Sequence, residues 1–291
     1  MFPSSGLGPL EEFESFLVEL NALSAAAILP LFRTENGLYD KGSMRFDPVT
    51  EADRGGERVI REAIARRFPG HGVIGEEFGE DRPDAEFVWV LDPIDGTRAF
   101  IAGLPVWTTL IGLRWQGAPL FGSIGQPNLG EVFLGSATGA KLVRGGETQQ
   151  LRVRRCADLS AATVATTDTG VFAPQERAAW ARLRAAARLV RMGCDAYAYA
   201  MVAAGTIDLV VEASLKCWDI EPAMPILMGA GGIVTDWGGR PVGASGGQVA
   251  IAGDPRCLAE ALTLLEPAAS SGGGAAVPSH LRHSGQGAVG A

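Results

Sequence analysis

The chain is poor in the side chains on which many hydrolases and transferases rely. Of its 291 residues only three are histidines, and His280 and His283 lie in a closing stretch rich in Gly, Ala and Ser. The third, His71, sits in the turn-like Pro69-Gly70-His71-Gly72. A Ser-His-Asp triad, or a zinc centre with several His ligands, has no residues to build on. The four cysteines, Cys156, Cys194, Cys217 and Cys257, form no C-x-x-C pair and no zinc spacing, and read as reduced thiols of a cytoplasmic protein. No Cys has an Arg six positions on, so the phosphate loop of the cysteine phosphatases is missing. Neither G-x-x-x-x-G-K-[ST] nor a strand-linked G-x-G-x-x-G occurs. Lysine is scarce: Lys41, Lys141 and Lys216 are the only ones among 25 basic residues. With 33 acids the net charge is −8, which argues against nucleic acid as a partner and against a polybasic membrane surface. The start has no basic-then-apolar leader, and the sequence reading finds no membrane-spanning run. What remains for chemistry is carboxylates, hydroxyls and metal ions.

The length suits one large or two small domains, and 47% apolar with 20% charged residues is ordinary globular composition. Phe13, Phe16, Leu17, Leu20, Leu23, Ala27 and Ile28 recur at steps of three and four and predict a helix over 10–31. Residues 32–48 read as a loop. Thr50 is placed to cap a second helix whose apolar face carries Val59, Ile60, Ala63 and Ile64. Residues 73–77 are a short strand running into acids. Phe87–Leu91 is a buried strand that breaks at once into Asp92-Pro93-Ile94-Asp95-Gly96-Thr97. Strands over 108–115, 120–125 and 131–135 follow, then a β-rich stretch to 153. Beyond Asp158 helices over 174–189, 195–204, 218–229 and 256–265 alternate with strands over 164–167, 189–192, 207–212 and 233–237. The expected division is a first domain over 1–155, a second over 156–267 and a disordered tail over 268–291.

Three acidic segments stand out: Gly75-Glu76-Glu77, Asp92 to Thr97, and Trp218-Asp219 at a helix start. An apolar strand that delivers acids at its end sets them at the carboxyl edge of a sheet, where sites usually form. Several carboxylates without bases repel one another, and hard divalent cations resolve the conflict. An oxygen-only donor set points to Mg²⁺, with Mn²⁺ a possible substitute. Taken singly each segment has a plainer reading: a turn, a solvated surface, a helix cap beside a core Trp.

Together the segments are recognisable. Val49-Thr-Glu-Ala-Asp53, Gly75-Glu-Glu77, Asp92-Pro-Ile-Asp-Gly-Thr97 and Trp218-Asp-Ile-Glu-Pro-Ala223 leading into Gly229-Ala-Gly-Gly232 resemble the inositol monophosphatase family over about residues 10–265. The resemblance implies a mixed α and β fold, a layered αβαβα sandwich, and a homodimer. It implies a Mg²⁺-dependent phosphomonoesterase with two to three ions and a small phosphomonoester substrate. Glu76, Asp92, Asp95, Asp219 and the Ile94 carbonyl become metal ligands. Glu76 and Thr97 orient and deprotonate the attacking water, Asp53 hydrogen-bonds Thr97, and the Gly96 and Thr97 amides hold phosphate. Lys41 corresponds to the lysine of the family's mobile loop, although the segment that follows it aligns less clearly.

Several stretches resemble the histidinol-phosphatase branch more than the inositol branch: 95–101, 105–112, 193–199 and 208–219. Histidinol phosphate carries an ammonium and an imidazole, so its site wants carboxylates beyond those on metal. Asp195 and Glu212 are the candidates, with Gly193 allowing close approach and Asp219 at the same wall; Asp195 also reads as a helix cap. The alternatives are an inositol-1-monophosphatase or broad sugar or nucleotide phosphatase, a catalytically silent binding protein, and a structural metal module.

Overall fold

Five layers of helix and sheet alternate in the computed structural model, which describes residues 10–34, 38–40, 48–243 and 245–270. Lys41, the side chain of Thr50 and residues 271–291 lie outside the described residues. Helix α1 (Leu10–Ile28) continues as a 3-10 turn to Leu31. Its Phe13, Phe16, Leu17 and Leu20 are buried. By length and composition the segment Glu11–Leu31 is apolar enough to cross a membrane, contrary to the sequence reading. Here that apolar face covers α2 and a sheet. The stretch read as a loop over 32–48 instead holds β1 (Leu38–Asp40), paired antiparallel with β2 (Pro48–Thr50). Helix α2 (Glu51–Arg67) follows, with acids in its first turn and arginines in its last, as the helix dipole favours.

The large sheet is built from β3 (Gly72–Gly75), β4 (Gly79–Asp81), β5 (Phe87–Asp95), β6 (Thr108–Trp115), β7 (Ala118–Gln126), β8 (Glu131–Ser136), β9 (Gly139–Arg144) and β10 (Glu147–Gln150), in the order β10-β9-β8-β7-β6-β5-β3-β4. The short helix α3 (Thr97–Ile101) leaves the end of β5. His71, the one described histidine, is structural. It stacks on Phe68 and Phe87, and its Nδ1 accepts the Trp89 indole N–H at 3.1 Å.

The chain then builds β11 (Thr163–Thr166), α4 (Pro174–Ala186), β12 (Leu189–Met192), α5 (Tyr197–Ala203), β13 (Leu209–Leu215), α6 (Cys217–Ile220), α7 (Met224–Gly229), β14 (Ile233–Thr235), β15 (Gly247–Ala252) and α8 (Pro255–Leu265). The five strands order as β12-β11-β13-β15-β14. Helices α4 and α8 cover one face of this small sheet. The other face and the inner face of the large sheet enclose α5 and α7, so α5, α6 and α7 form the middle layer. The order is αβαβα, as the family resemblance implied.

Pro222 and Pro225 divide the single helix expected over 218–229 into α6 and α7. The bend lies against Gly112, Gly122 and Gly135, which are paired in register across β6, β7 and β8. A Cβ on Gly122 would stand 1.8 Å from the Pro222 carbonyl oxygen, so this row of glycines is what lets the middle layer seat. Packing also runs past residue 267. Ala268 is buried, and the Gln248 side chain holds Ala268 O and Ser270 N at 2.8 Å each, which corrects the expected start of the tail.

Candidate active site

Strand β5 does not stop at Leu91 as the sequence suggested; it continues to Asp95. Its pairing shifts on the way: Asp92 lies opposite Leu110, and Asp95 lies opposite Thr108. Three steps on β5 thus match two on β6, a bulge of one extra residue at Pro93-Ile94. In a regular strand residues three apart face opposite sides. The extra residue turns Asp92 and Asp95 to the same side. Pro93 has no N–H to lose from the ladder, and its carbonyl accepts the Thr109 hydroxyl at 2.8 Å.

The third acid comes from the other sheet. Strand β13 has a register shift between Glu212 and Leu215, with Ser214 at φ 67°, and so bends into α6. There the Asp219 carboxylate accepts the Lys216 amide at 2.7 Å. One carboxylate oxygen each of Asp92, Asp95 and Asp219 lies within 4.8 Å of the others. Asp95 Oδ2 also accepts the Ala196 amide at 2.6 Å and the Thr108 hydroxyl at 3.3 Å, tying the end of β5 to the start of α5 and to β6.

Burial first, and then their neighbours' charges, push all three carboxyls up; Asp219 rises to about 7. For Asp92 the neighbours are Glu76, Asp95, Asp219 and Asp53, all acids. Asp92 Oδ1 is buried without a hydrogen-bond donor. Packed hard oxygens with a surplus of negative charge and an orphaned acceptor fit a divalent cation of the Mg²⁺ type.

Glu76 follows β3, its amide on Leu91 O at 3.2 Å. It acts electrostatically on Asp92 and Asp219 but lies outside the 4.8 Å group. Its loop is held by a residue the sequence reading did not single out. Glu57 on α2 is fully buried and accepts the Glu77 amide at 2.8 Å, the Phe78 amide at 3.2 Å and the Arg61 guanidinium at 2.7 Å. An acid on the buried face of an amphipathic helix, four residues after Asp53, was the available signal. Asp53 itself is buried in the first turn of α2.

Gly96 starts α3 at φ 87°, a left-handed conformation that suits glycine. A Cβ there would meet the Asp195 carboxylate at 2.8 Å. The Gly96 and Thr97 amides have no protein acceptor among the described residues. The Thr97 hydroxyl donates to Ile94 O at 3.2 Å, while the Ile94 side chain is buried beside Phe100 and Trp107.

Gly193 (φ 76°) and Asp195 (φ 46°) shape the opposite wall. The capping role open for Asp195 is not what is seen. Helix α5 begins after Ala196 with no side-chain cap, and Asp195 contributes only its carbonyl, to the Ala198 amide at 3.1 Å. Its carboxylate has no hydrogen-bond donor among the described residues. Burial raises it to about 6 against the pull of Arg98. Arg98 spans the mouth to Asp168 at 2.6 Å, a third wall carboxylate the sequence reading did not name. Glu212 is spoken for: it accepts the Thr167 amide at 2.8 Å and the Thr167 and Thr166 hydroxyls at 2.9 and 3.3 Å, and burial lifts it to about 8.

Comparison with known proteins agrees with this geometry. The pattern of the inositol monophosphatase family matches residues 9–270. The chain belongs to the inositol monophosphatase family. It is 40% identical over 234 residues to the chloroplastic bifunctional phosphatase IMPL2 of Arabidopsis thaliana, an alignment covering 79% of this chain and 66% of the plant protein. It is 38% identical over 194 residues to the histidinol-phosphatase of Chlorobaculum parvum, covering 66% and 74%. The solved inositol monophosphatase of Zymomonas mobilis superposes with a TM-score of 0.78 at 37% identity, covering 89% of this chain and all of that one. Members of this family are metal-dependent phosphatases, and the three-carboxylate cluster offers oxygen donors for such an ion.

Proposed function

We propose that this phosphatase hydrolyses L-histidinol phosphate to L-histidinol and phosphate, a step of histidine biosynthesis. The observation that carries the substrate assignment is the Asp195 carboxylate. It stands against Gly96, where the phosphate would be held, and accepts no hydrogen bond among the described residues, although the Arg98 charge acts on it. A leaving alcohol with an ammonium group supplies the missing donor and charge; a neutral polyol supplies only hydroxyls. The relative named histidinol-phosphatase supports the same reading. Glu212 serves by fixing Thr166 and Thr167 behind that wall.

Asp92, Asp95, Asp219, Glu76 and the Ile94 carbonyl would hold two to three Mg²⁺ ions. Bound there, Mg²⁺ would acidify water, neutralise phosphate and stabilise the leaving alkoxide. The protein's own part is positioning and charge. Gly96 and Thr97 present free amides to the phosphate oxygens. Thr97, whose hydroxyl donates to Ile94 O, would orient the attacking water and Glu76 would take up its proton, with Asp53 proposed to support Thr97. Lys41, outside the described residues, is proposed to act on the same water. The second reading is an inositol phosphate substrate, favoured by the 37% identity to the Zymomonas mobilis inositol monophosphatase.

The test is kcat/KM with Mg²⁺ for L-histidinol phosphate against myo-inositol 1-phosphate, fructose 1,6-bisphosphate and 3′-phosphoadenosine 5′-phosphate. At least about a hundredfold preference for histidinol phosphate, roughly 2.7 kcal/mol, is expected. Asp195→Ala should erase most of it and spare inositol phosphate. A flat profile, or equal losses on both substrates, overturns the assignment.

A further inference from the structure

Away from the acid cluster, a cleft of about 920 Å³ opens where the chain passes from the large sheet to the small one. Its walls are the start of β9, the linking segment 150–155, the turn 229–231 after α7, and residues 253–256 entering α8. None of these belongs to the candidate active site. Four arginines border it, Arg152, Arg154, Arg155 and Arg256, against one carboxylate, Asp254. Two are committed: Arg154 donates to Asp208 at 2.6 Å and Arg256 to Asp254 at 2.7 Å. Arg152 and Arg155 are exposed and have no acidic partner among the described residues. In a chain of net charge −8, two unpaired guanidiniums beside a walled cavity are a local excess of the opposite sign.

Between them the lining is mixed: Gly139, Gly229, Gly231 and Gly253 alternate with the side chains of Thr138, Gln150, Leu151 and Val153, and Asp254 is the one acid. Planar guanidiniums match phosphate oxygens in paired hydrogen bonds. The volume falls in the range of small-molecule sites, and the overall negative charge repels a polyanionic polymer. We propose that this cleft is a second ligand site that binds a small phosphorylated molecule carrying a diphosphate-like cluster of charge, held by Arg152 and Arg155.

The test uses the full chain in EDTA, so that phosphate has no cation to bridge it to the acid cluster. Pyrophosphate is the probe, inorganic phosphate the weaker comparison, and a short single-stranded oligonucleotide the polymer comparison, all by titration calorimetry. Pyrophosphate should bind with one-to-one stoichiometry, weaken as salt rises, and lose at least about tenfold affinity in the R152Q/R155Q double variant. Both side chains are exposed, so the variant's melting temperature and Mg²⁺-dependent turnover should match the parent. No pyrophosphate binding, binding unchanged in the double variant, or tighter binding of the oligonucleotide would overturn the proposal.

Discussion

Two sets of buried carboxylates divide this molecule. Asp208, at the foot of the small sheet, is 1% exposed, and Asp92, at the end of β5, is 2% exposed. Equal burial leads to opposite outcomes. Burial pushes Asp208 up, but hydrogen bonds from Arg154 and the Thr163 amide outweigh it and hold the carboxyl below its usual range. Asp254 is held low in the same way, first by Arg256. Glu221 remains somewhat raised by burial even with Arg114 upon it. At Asp92, Asp95 and Asp219 burial is reinforced by other acids. At equal solvent exposure the partner separates an acid that holds the fold together from one that waits for a cation, and Asp92 has in addition the deeper surroundings.

The largest expected effect removes one member of the waiting set. Asp95→Asn should cut turnover on the order of 10³-fold, the scale for losing a group that stabilises transition-state charge. Its melting temperature without metal should be unchanged or higher, because a carboxyl whose charged form is disfavoured there is replaced by a neutral group that still accepts the Ala196 amide. Near-parental turnover would break the comparison. The mirror experiment is Asp208→Asn, which strips a paired acid from exposed-side Arg154. It should cost about 2 kcal/mol of stability, discounted for Arg154's access to solvent, and leave turnover per folded molecule unchanged. Denaturant melts and active-site-normalised rates would show this; a stable but inactive variant would contradict it.

Glu57 sharpens the contrast, since it is a paired acid that serves the site at one remove. Glu57→Gln weakens the grip on the Glu77 and Phe78 amides and should reduce kcat about tenfold, with a raised Mg²⁺ requirement. A loss of stability with unaltered metal dependence would make it merely structural. The contrast also reads out in pH. In the folded, metal-free protein Asp219 and Glu212, raised to about 7 and about 8, keep protons that the unfolded chain releases above about pH 4. Stability should therefore fall as pH rises from about 4 to about 8. The contribution of Asp208 has the opposite sense: it is complete above about pH 4 and lost only in more acid solution. Saturating Mg²⁺ should flatten the decline, and parallel curves with and without it would count against the cation site.

The acids themselves were legible. Asp92, Asp95, Asp219 and Glu76 stand in motifs specific enough to name a family, and the layer order followed from it. Local pattern could not show how Asp92 and Asp95 come to share a face, because a bulge is a property of two strands, and Leu110 and Thr108 are far along the chain. Glu57 was one acid among many until its loop partners folded onto it. The glycines at 112, 122 and 135 become a row only when β6, β7 and β8 are aligned. Strand β15, next to β13, is led by Gly-Gln and was hidden in a glycine-rich stretch, and β1 and β2 are too short to show a period. The apolar spacing over 218–229 is continuous, whereas Pro222 and Pro225 end one helix and start another.

The most direct test of the unpaired cluster as a cation site is the melting temperature at pH 7.5 during a Mg²⁺ titration, for the parent chain and Asp95→Asn side by side. The account predicts a saturating rise of several degrees for the parent, as expected for a ligand that binds only the folded state, and little or none for the variant. Equal rises in both, or no rise in the parent, would contradict it.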